Sequence, residues 1–502
     1  MTGWRGAASG QVLLLVTIAI AVMIGFAALA VDVGLLWTER RHMQTAADAA
    51  AIAAATAMRN SSDLTTAADD VAALNGFVAD GNGVTITVNN PPSEGYFASN
   101  SQYVEVIISQ PQTTYFMQVL GYRQVTVSAR AVSGEANGPA CVYALDSTAS
   151  NAISMTGNFN IDAKCGVIDD SSSSTALSAT GNGTLTATSI GVAGNYSSAG
   201  NVKITPTPNI HIAPAPDPLS GLAAPAVAAA SQLSVTHSGT YSVSGNNQTV
   251  TLTPAIYANG FSITGNNAQV TFSAGNYGDH INIGGNTASA VFNPGQYQNG
   301  GSGDSIDIAG NAATTFNAGS YIFLGAVRIT GNNVVTLQPG TYYGGLAITG
   351  NARVTFSTGT YILAGGGLSV TGNSTLTGSS VTFYNTSAAG YSYGAINLTG
   401  NETANLTAPT SGSLAGILFF QDRSIPTGST GATVTGNSSS TFDGVLYFPT
   451  TSLTYTGNSS SSGYTFLIAD TITINGNASA TLGDNYSSLT DGSPIKSSSL
   501  YE

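Results

Sequence analysis

The sequence predicts a mainly β protein: an N-terminal transmembrane helix with a small α+β module, then a parallel β-helix (solenoid) with rungs of about 20 residues. Three observations predict it. Gly-Asn pairs begin at Gly245, Gly265, Gly285, Gly310, Gly331 and Gly350, in steps of 20, 20, 25, 21 and 19 residues. Gly-x-Tyr segments ending at Tyr277, Tyr297, Tyr321, Tyr342 and Tyr361 keep step with them, as do Phe272, Phe292, Phe316, Leu337 and Phe356. Residues 12–36 form an almost unbroken apolar run.

Each unit reads like Leu346-Ala-Ile-Thr-Gly-Asn-Ala-Arg-Val-Thr-Phe-Ser-Thr-Gly-Thr-Tyr361: an alternating strand, a Gly-Asn corner, a second alternating strand, then a Gly-x-Tyr corner. Strands this short cannot bury an apolar face alone, so units must stack on one another. A period near 20 without a helical pattern between strands favours a coil of parallel strands over hairpins. Equivalent side chains then lie about 4.8 Å apart, and about eleven rungs between Gly245 and Gly476 make a rod on the order of 50 Å long.

The Asn residues of the pairs, Asn246, Asn266, Asn286, Asn311, Asn332 and Asn351, have two readings. As structure, Asn accepts a left-handed corner, and aligned amides hydrogen-bond up the stack. As function, a row of amides on a flat face binds sugars or an ordered surface. The structural reading is favoured because Asn follows Gly at the corner in every unit. The Tyr column is read the same way, as a packed stack in preference to a sugar platform.

Composition narrows the class. Of 502 residues only 7% are charged, while Gly alone numbers 60, the make-up of an extracytoplasmic β-rich repeat protein. The balance of 12 basic and 25 acidic residues, net −13, offers no basic patch for phosphates, so nucleic acid is not an expected partner. Cys141 and Cys165 are the two cysteines. They suit a single disulfide in an oxidising compartment; no metal or cofactor is expected.

Residues 1–60 read as a membrane anchor. The apolar run is about 25 residues, long enough to span a bilayer as one helix. Ala residues continue its helical spacing to Met58, unlike a cleavable signal. The Ser/Thr/Asn-rich body argues that the N-terminus stays in the cytoplasm and the rest is exported. Asp32 lies inside the run, where a carboxylate is costly. It sits either near the outer interface, in reach of water, or against a partner helix, whose close approach Gly25 and Gly34 would allow.

Gly10-Gln11, the apolar run, Ala28-Leu-Ala-Val-Asp-Val-Gly34, Arg41, Gln44 and Ala46-Ala-Asp-Ala-Ala-Ala-Ile-Ala-Ala-Ala55 together resemble the N-terminal module of TadE/TadG-like proteins of the tight-adherence (Flp) pilus-assembly system. The resemblance covers about 50 residues. It implies a bacterial inner-membrane anchor that helps assemble or attach surface pili. Pilin-like relatives are cut after a Gly with Glu at the fifth position beyond; Gly6 is followed there by Gln11, so an uncleaved anchor is expected.

Residues 61–135 read as a small α+β module that also fits that family. An Ala-rich helix covers 61–79, strands cover 84–88, 103–108 and 124–132, and a short helix covers 114–120. Its expected job is to stand the rod off the membrane. The repeat domain is expected over 139–486, interrupted at 206–225 by six prolines that read as an extended excursion or linker between early rungs and the main stack. After Gly350 the pairs spread to Gly372, Gly400, Gly436, Gly457 and Gly476, implying longer loops, which often carry specificity. The Ser-rich tail 487–502 reads as disordered.

Few motifs carry chemistry. Asp146-Ser-Thr-Ala-Ser150 mimics a metal-dependent adhesion site of the von Willebrand A type, a domain some TadG proteins carry, but the Gly-Asn repeats that follow make it a polar corner of the first rung. Gly300-Gly-Ser-Gly-Asp-Ser-Ile306 resembles a calcium-binding nonapeptide with one residue missing, and it occurs once. A β-helix hydrolase would need two carboxylates within roughly 5–9.5 Å. The pairings open to it are Asp279 with His280, Asp304 with Asp307, Asp422 with Arg423, or Asp279 with Asp304, all read here as solvated loop charges. Asn-x-Ser/Thr triplets at Asn373, Asn397 and Asn437 are expected by chance in such a composition.

The expected function is therefore structural and not enzymatic: a membrane-anchored extracytoplasmic component of Flp/Tad-type pilus assembly and surface adherence. Its implied partners are the inner membrane, other Tad pilus-assembly proteins or pilin, and surface glycans. The alternatives are a surface polysaccharide-binding adhesin and, below it, a carbohydrate-active β-helix enzyme.

Overall fold

Helix α1 (Ala8–Arg59) carries two different surfaces because its sequence does. Up to Trp37 the apolar residues surround the helix, and Leu13, Leu14, Met23, Ile24 and Phe26 are all exposed. Beyond it, Met43, Ala46, Ala47, Ala50, Ala51, Ala54 and Ala55 recur every three or four residues and are fully buried, the spacing of one helix face. Alanine there lets the helix lie close on a small sheet, against Val104, Val106, Ile108, Ala129 and Ala131. The structure, a computed structural model, describes residues 8–59, 62–79, 83–137, 140–299, 303–460, 464–483, 485–490 and 492–501. These form two units: Met1–Asn137 with Lys496–Glu502, and Gly138–Ile495.

The rest of the first unit is helix α2 (Leu64–Leu74), N-capped by Asp63 accepting from the Thr66 amide at 2.6 Å, and a four-stranded antiparallel sheet. Its order is β1 (Thr85–Asn89), β2 (Tyr103–Thr113), β3 (Gln124–Asn137) and a C-terminal strand, Lys496–Leu500. The tail read as disordered therefore contains a paired strand. Lys496 lies in register with Asn137 and Leu500 with Ser133. Tyr501 then packs edge-on against Tyr103 and Phe97, with ring centroids 5.1 and 5.3 Å apart. A Ser run has no alternating apolar signal, and its partner strand lies far back in the chain. The solenoid unit is thus inserted in sequence between two neighbouring strands of this sheet.

Solenoid rungs contain three short parallel strands, for example Leu346–Ile348, Arg353–Phe356 and Gly359–Ala364. About 15 such turns of about 22 residues are stacked. Leu346, Ile348, Val354, Phe356, Tyr361 and Leu363 are at most 2% exposed. Register keeps like on like: Val327, Leu346 and Leu368 pair in succession. Two sequence expectations are corrected in detail. The Gly-x-Tyr segment, read as a corner, opens the third strand, as in Gly340–Tyr342 and Gly359–Ala364. The left-handed corner residue is the glycine in the regular rungs, with φ 86° at both Gly331 and Gly350, and not the asparagine after it. Asn takes that conformation at Asn247 and Asn267, one position further on.

The rung order in space differs from the order in sequence. The stack begins at Tyr241–Val243 and climbs to Ile472–Leu482, which pairs with Ile153–Gly157 and Asn160–Ala163. Thr465–Ala469 likewise pairs with Ala140–Ala144. The chain therefore enters the solenoid between its ends, builds early rungs out to Asn209–Ile210, and must return to the far end to start the main stack.

Residues 211–240 make that return. Expected as an excursion between early rungs and main stack, they run along the outside of the coil and touch rungs in descending order. Ala215 N donates to Asp170 at 2.7 Å, and Tyr447 Oη donates to Asp217 at 2.5 Å. Arg423 donates to the carbonyls of Leu219 and Leu222, and Tyr343 Oη to Ala228 O at 2.5 Å. Gln296 Nε2 donates to Ser231 O at 2.7 Å, and Ile256 N to Thr236 Oγ1 at 3.0 Å. From Ala215 to Thr236 the strap crosses about eleven rung spacings, or about 53 Å. Twenty-one residues of extended chain reach about 65 Å at roughly 3.1 Å each. Prolines suit such a segment, since they favour extended chain and offer no donor to a ladder.

Candidate functional site

The apolar half of α1 meets the tip of the β2–β3 hairpin at Asp32. The side chain is 1% exposed, and its carboxylate accepts the backbone N–H groups of Tyr115, Phe116 and Met117 at 2.9, 2.7 and 2.6 Å. Those amides open the 3-10 turn Met117–Leu120, whose first N–H groups have no partner within the turn. A carboxylate there is matched both to free donors and to the positive end of the turn. Water or a partner helix was expected at Asp32; its partner lies within the chain. Thr114 Oγ1 closes the tip by donating to Tyr122 O, and Gly121 ends the turn at φ 96°.

Gly25 and Gly34 present open helix surface: a Cβ at either would meet no atom within 4 Å. Gly25, Ala28 and Leu29 line an apolar groove of about 230 Å³ with Phe116, Met117, Val119 and Leu120. Sequence reasoning did not find these hairpin residues. The available signal was the uncharged, largely apolar run 114–122 within the hairpin connection, where turns are ordinarily polar.

On the solenoid the Asn column forms amide-to-amide contacts. Asn332 donates to Asn311 at 3.1 Å, Asn351 to Asn332 at 3.0 Å and Asn373 to Asn351 at 3.3 Å. At the other end Asn246 accepts from the Asn266 backbone at 3.1 Å, while Asn267 donates to Asn247 at 3.2 Å. The Asn286 backbone continues this ladder by accepting from Asn267 N at 3.0 Å.

Tyr277, Tyr297, Tyr321, Tyr342 and Tyr361 are at most 1% exposed, so their rings offer no face to a ligand. Each hydroxyl donates to a carbonyl four residues back: Tyr277 to Ser273 at 3.0 Å, Tyr297 to Asn293 at 2.6 Å, Tyr321 to Asn317 at 2.7 Å, Tyr342 to Gln338 at 2.6 Å and Tyr361 to Ser357 at 3.0 Å. Burial raises every one of these phenols above its ordinary pKa.

Cys141 and Cys165 form a disulfide between adjacent rungs, with Cα atoms 5.7 Å apart. Asp304, Asp422 and Asp146 are held in structural contacts, whereas Asp307 Oδ1 is buried with no hydrogen-bond partner. Asp304 receives Arg328 through two contacts of 3.2 Å, and His280 Nδ1 lies 3.4 Å from the Asp304 carbonyl oxygen. Burial raises the Asp307 carboxyl, with His280 and Arg328 opposing. Asp279 occupies a left-handed corner at φ 59°. Asp422 accepts from Thr386 at 2.6 Å and Ser424 N at 2.9 Å, and Arg423 is spent on the strap. Asp146 accepts from Thr148 N and Ala149 N, both at 2.8 Å, as a turn within its rung. Among the described residues no group of three or more His, Cys, Asp or Glu is placed to hold a metal. Gly6 and residues 300–302 of the nonapeptide-like stretch lie outside the described residues, as does the side chain of Asn437.

Fold and site together define a class: a chain with, among the described residues, one helix long and apolar enough to cross a membrane, a small α+β unit whose sheet is completed by the strand Lys496–Leu500, and a parallel β-solenoid inserted in sequence between its strands. Within that class, residues 10–57, inside α1, match the family model described as "Putative Flp pilus-assembly TadE/G-like". No curated protein and no solved structure matches the chain.

Proposed function

We propose that this protein is a membrane-anchored extracytoplasmic structural component of Flp/Tad-type pilus assembly and surface adherence. The observation that carries the reading is the TadE/G-like match over residues 10–57, on a helix whose first half is apolar on every side. In this reading α1 crosses the bacterial inner membrane once, with the C-terminal units exported. The solenoid then meets other Tad proteins, pilin or the surface to which the cell adheres. A disulfide in the solenoid supports export. A second reading, a polysaccharide-binding adhesin, is favoured by the exposed amide ladder from Asn311 to Asn373. A carbohydrate-active enzyme stands below both, since Asp304 and Asp422 are held by Arg328 and by Thr386 and the Ser424 amide.

The topology supplies the test. Because Asn137 and Lys496 are register partners, residues 138–495 can be excised and replaced by a two-residue Asn-Gly turn. Loss of surface pili on excision supports a role in assembly. Persistent pili with reduced adherence make the solenoid itself the adhesive element. If both pili and adherence persist, the proposal is wrong.

A further inference from the structure

The hairpin tip 114–122 poses a physical problem that the proposed anchor sharpens. Four of its side chains point away from protein: Tyr115 is 62% exposed, Val119 85%, Leu120 73% and Tyr122 60%. No charge occurs between Thr114 and Tyr122; Arg123 is the first. An apolar tip in water would be a liability. This tip, however, lies against Gly25, Ala28 and Leu29, in the exposed apolar half of α1.

Depth follows from helix geometry. Exposed Trp37, followed by Arg40 and Arg41, marks the outer interface of a spanning helix. Leu29 and Gly25 are 8 and 12 residues before Trp37, so they lie about 12 and 18 Å below it at 1.5 Å per residue. Half the hydrocarbon thickness is about 15 Å. A tip held at Gly25–Leu29 therefore sits within the acyl chains near the bilayer midplane.

Bare backbone cannot stay there, because unpaired N–H groups in hydrocarbon cost several kcal/mol each. Three such groups, of Tyr115, Phe116 and Met117, are the ones Asp32 receives. The same contacts explain how a carboxylate is retained in an apolar helix.

We propose that the β2–β3 hairpin tip is a second membrane-embedded element: a re-entrant wedge inserted into the hydrocarbon core beside α1, three of its backbone amides satisfied by Asp32 and its exposed side chains solvated by acyl chains. The proposal rests on α1 spanning a bilayer. Continuity of the tip with that apolar surface selects lipid as its occupant. Tyr115 and Tyr122, whose rings suit a level nearer the headgroups, flank Val119 and Leu120 at the apex.

Spin labels test this in the full chain reconstituted in phosphatidylcholine/phosphatidylglycerol vesicles. Both native cysteines are disulfide-bonded, so a new thiol is labelled selectively. Val119→Cys is compared with Val22→Cys in the mid-helix and Tyr96→Cys, 88% exposed in the β1–β2 connection at the opposite end of the hairpin. Relative access to oxygen and to a water-soluble nickel chelate reports depth. The expected result groups Val119 with Val22, rich in oxygen and poor in nickel, and leaves Tyr96 nickel-accessible. A nickel-accessible Val119 with a lipid-buried Val22 overturns the wedge and keeps the anchor. A nickel-accessible Val22 overturns the anchor and the wedge with it. A Val119 label shielded from both reagents means that protein covers the tip, and the lipid assignment fails.

Discussion

Thr156 donates its hydroxyl to the Asn475 side chain at 2.6 Å, 319 positions further along the chain. That bond joins the first rung in sequence to the last full rung of the main stack, so the solenoid closes on its own beginning. Chain entry and exit fall at neighbouring rungs for that reason. Insertion between two adjacent strands of the first unit then needs no long connection. The arrangement has one structural cost, a return segment as long as the main stack, and the Pro-rich strap supplies it.

The strap is held most firmly at Arg423. Its guanidinium donates to Leu219 O, Leu222 O and the Tyr447 hydroxyl, and it lies 5.3 Å from the Phe420 and Tyr447 ring centroids. Arg423→Ala leaves those carbonyls without their charged donor and should cost about 2 kcal/mol. Limited proteolysis should then cut within 219–222 before any rung is lost. Unchanged strap protection would show that the other strap contacts suffice.

The Tyr column separates packing from hydrogen bonding. Tyr342→Phe keeps the ring between Phe323 and Tyr361 but leaves the Gln338 carbonyl without its donor, an expected loss of about 1–2 kcal/mol. Tyr342→Ala also opens a core cavity and should cost about 3–5 kcal/mol. Equal losses in chemical denaturation would mean the hydroxyl contributes everything and the ring nothing.

A contrast at one corner tests which residue sets it. Gly350 has φ 86°, and a Cβ there would lie 2.9 Å from Gly331 O. Gly350→Ala should therefore cost roughly 1–3 kcal/mol through backbone strain. Asn351→Ala removes exposed amide contacts to Asn332 and Asn373 and should cost under about 1 kcal/mol. A larger loss at Asn351 would restore the asparagine as the corner-setting residue.

The repeat was legible because Gly350, Tyr361 and Phe356 recur in one register, and short alternating strands have no other way to bury an apolar face. The apolar half of α1 was legible from length alone. Rung order was not. Nothing local in Ile472 or Ile153 says that they pair, since every rung offers a similar edge to every other; the pairing is between residues some 319 positions apart and carries no local pattern. Asp32 was recognised as costly, but its partners are backbone amides, which carry no residue-type signal.

Acidity gives the sharpest test of the early rungs, where Asp169 pairs in register with Ala144 and Val192. Asp169 is fully buried; its Oδ1 accepts from Ser171 N at 3.0 Å and its Oδ2 has no hydrogen-bond partner. Burial pushes its carboxyl up to about 7, with Asp170 and Asp146 adding to the rise and the Ser171 amide opposing it. Burial likewise lifts Asp170 to about 6 despite the Ala215 amide. Both start from 3.8, so between these values the folded chain binds more protons than the unfolded one. Their stabilising contribution is then complete below about pH 4 and disappears as pH rises through 6 and 7. Glu105 in the first unit acts oppositely. Burial raises its carboxyl, but donors from Ser93, Asn89 and Arg130 outweigh that and hold it at about 2, so its contribution is lost only in acid below 4.5. The thermal midpoint of the solenoid should accordingly fall from about pH 5 to about pH 8. Asp169→Asn, which cannot ionise, should remove most of that fall. A midpoint that stays level over this window in the unsubstituted chain would show that the two aspartates are already ionised in the folded state.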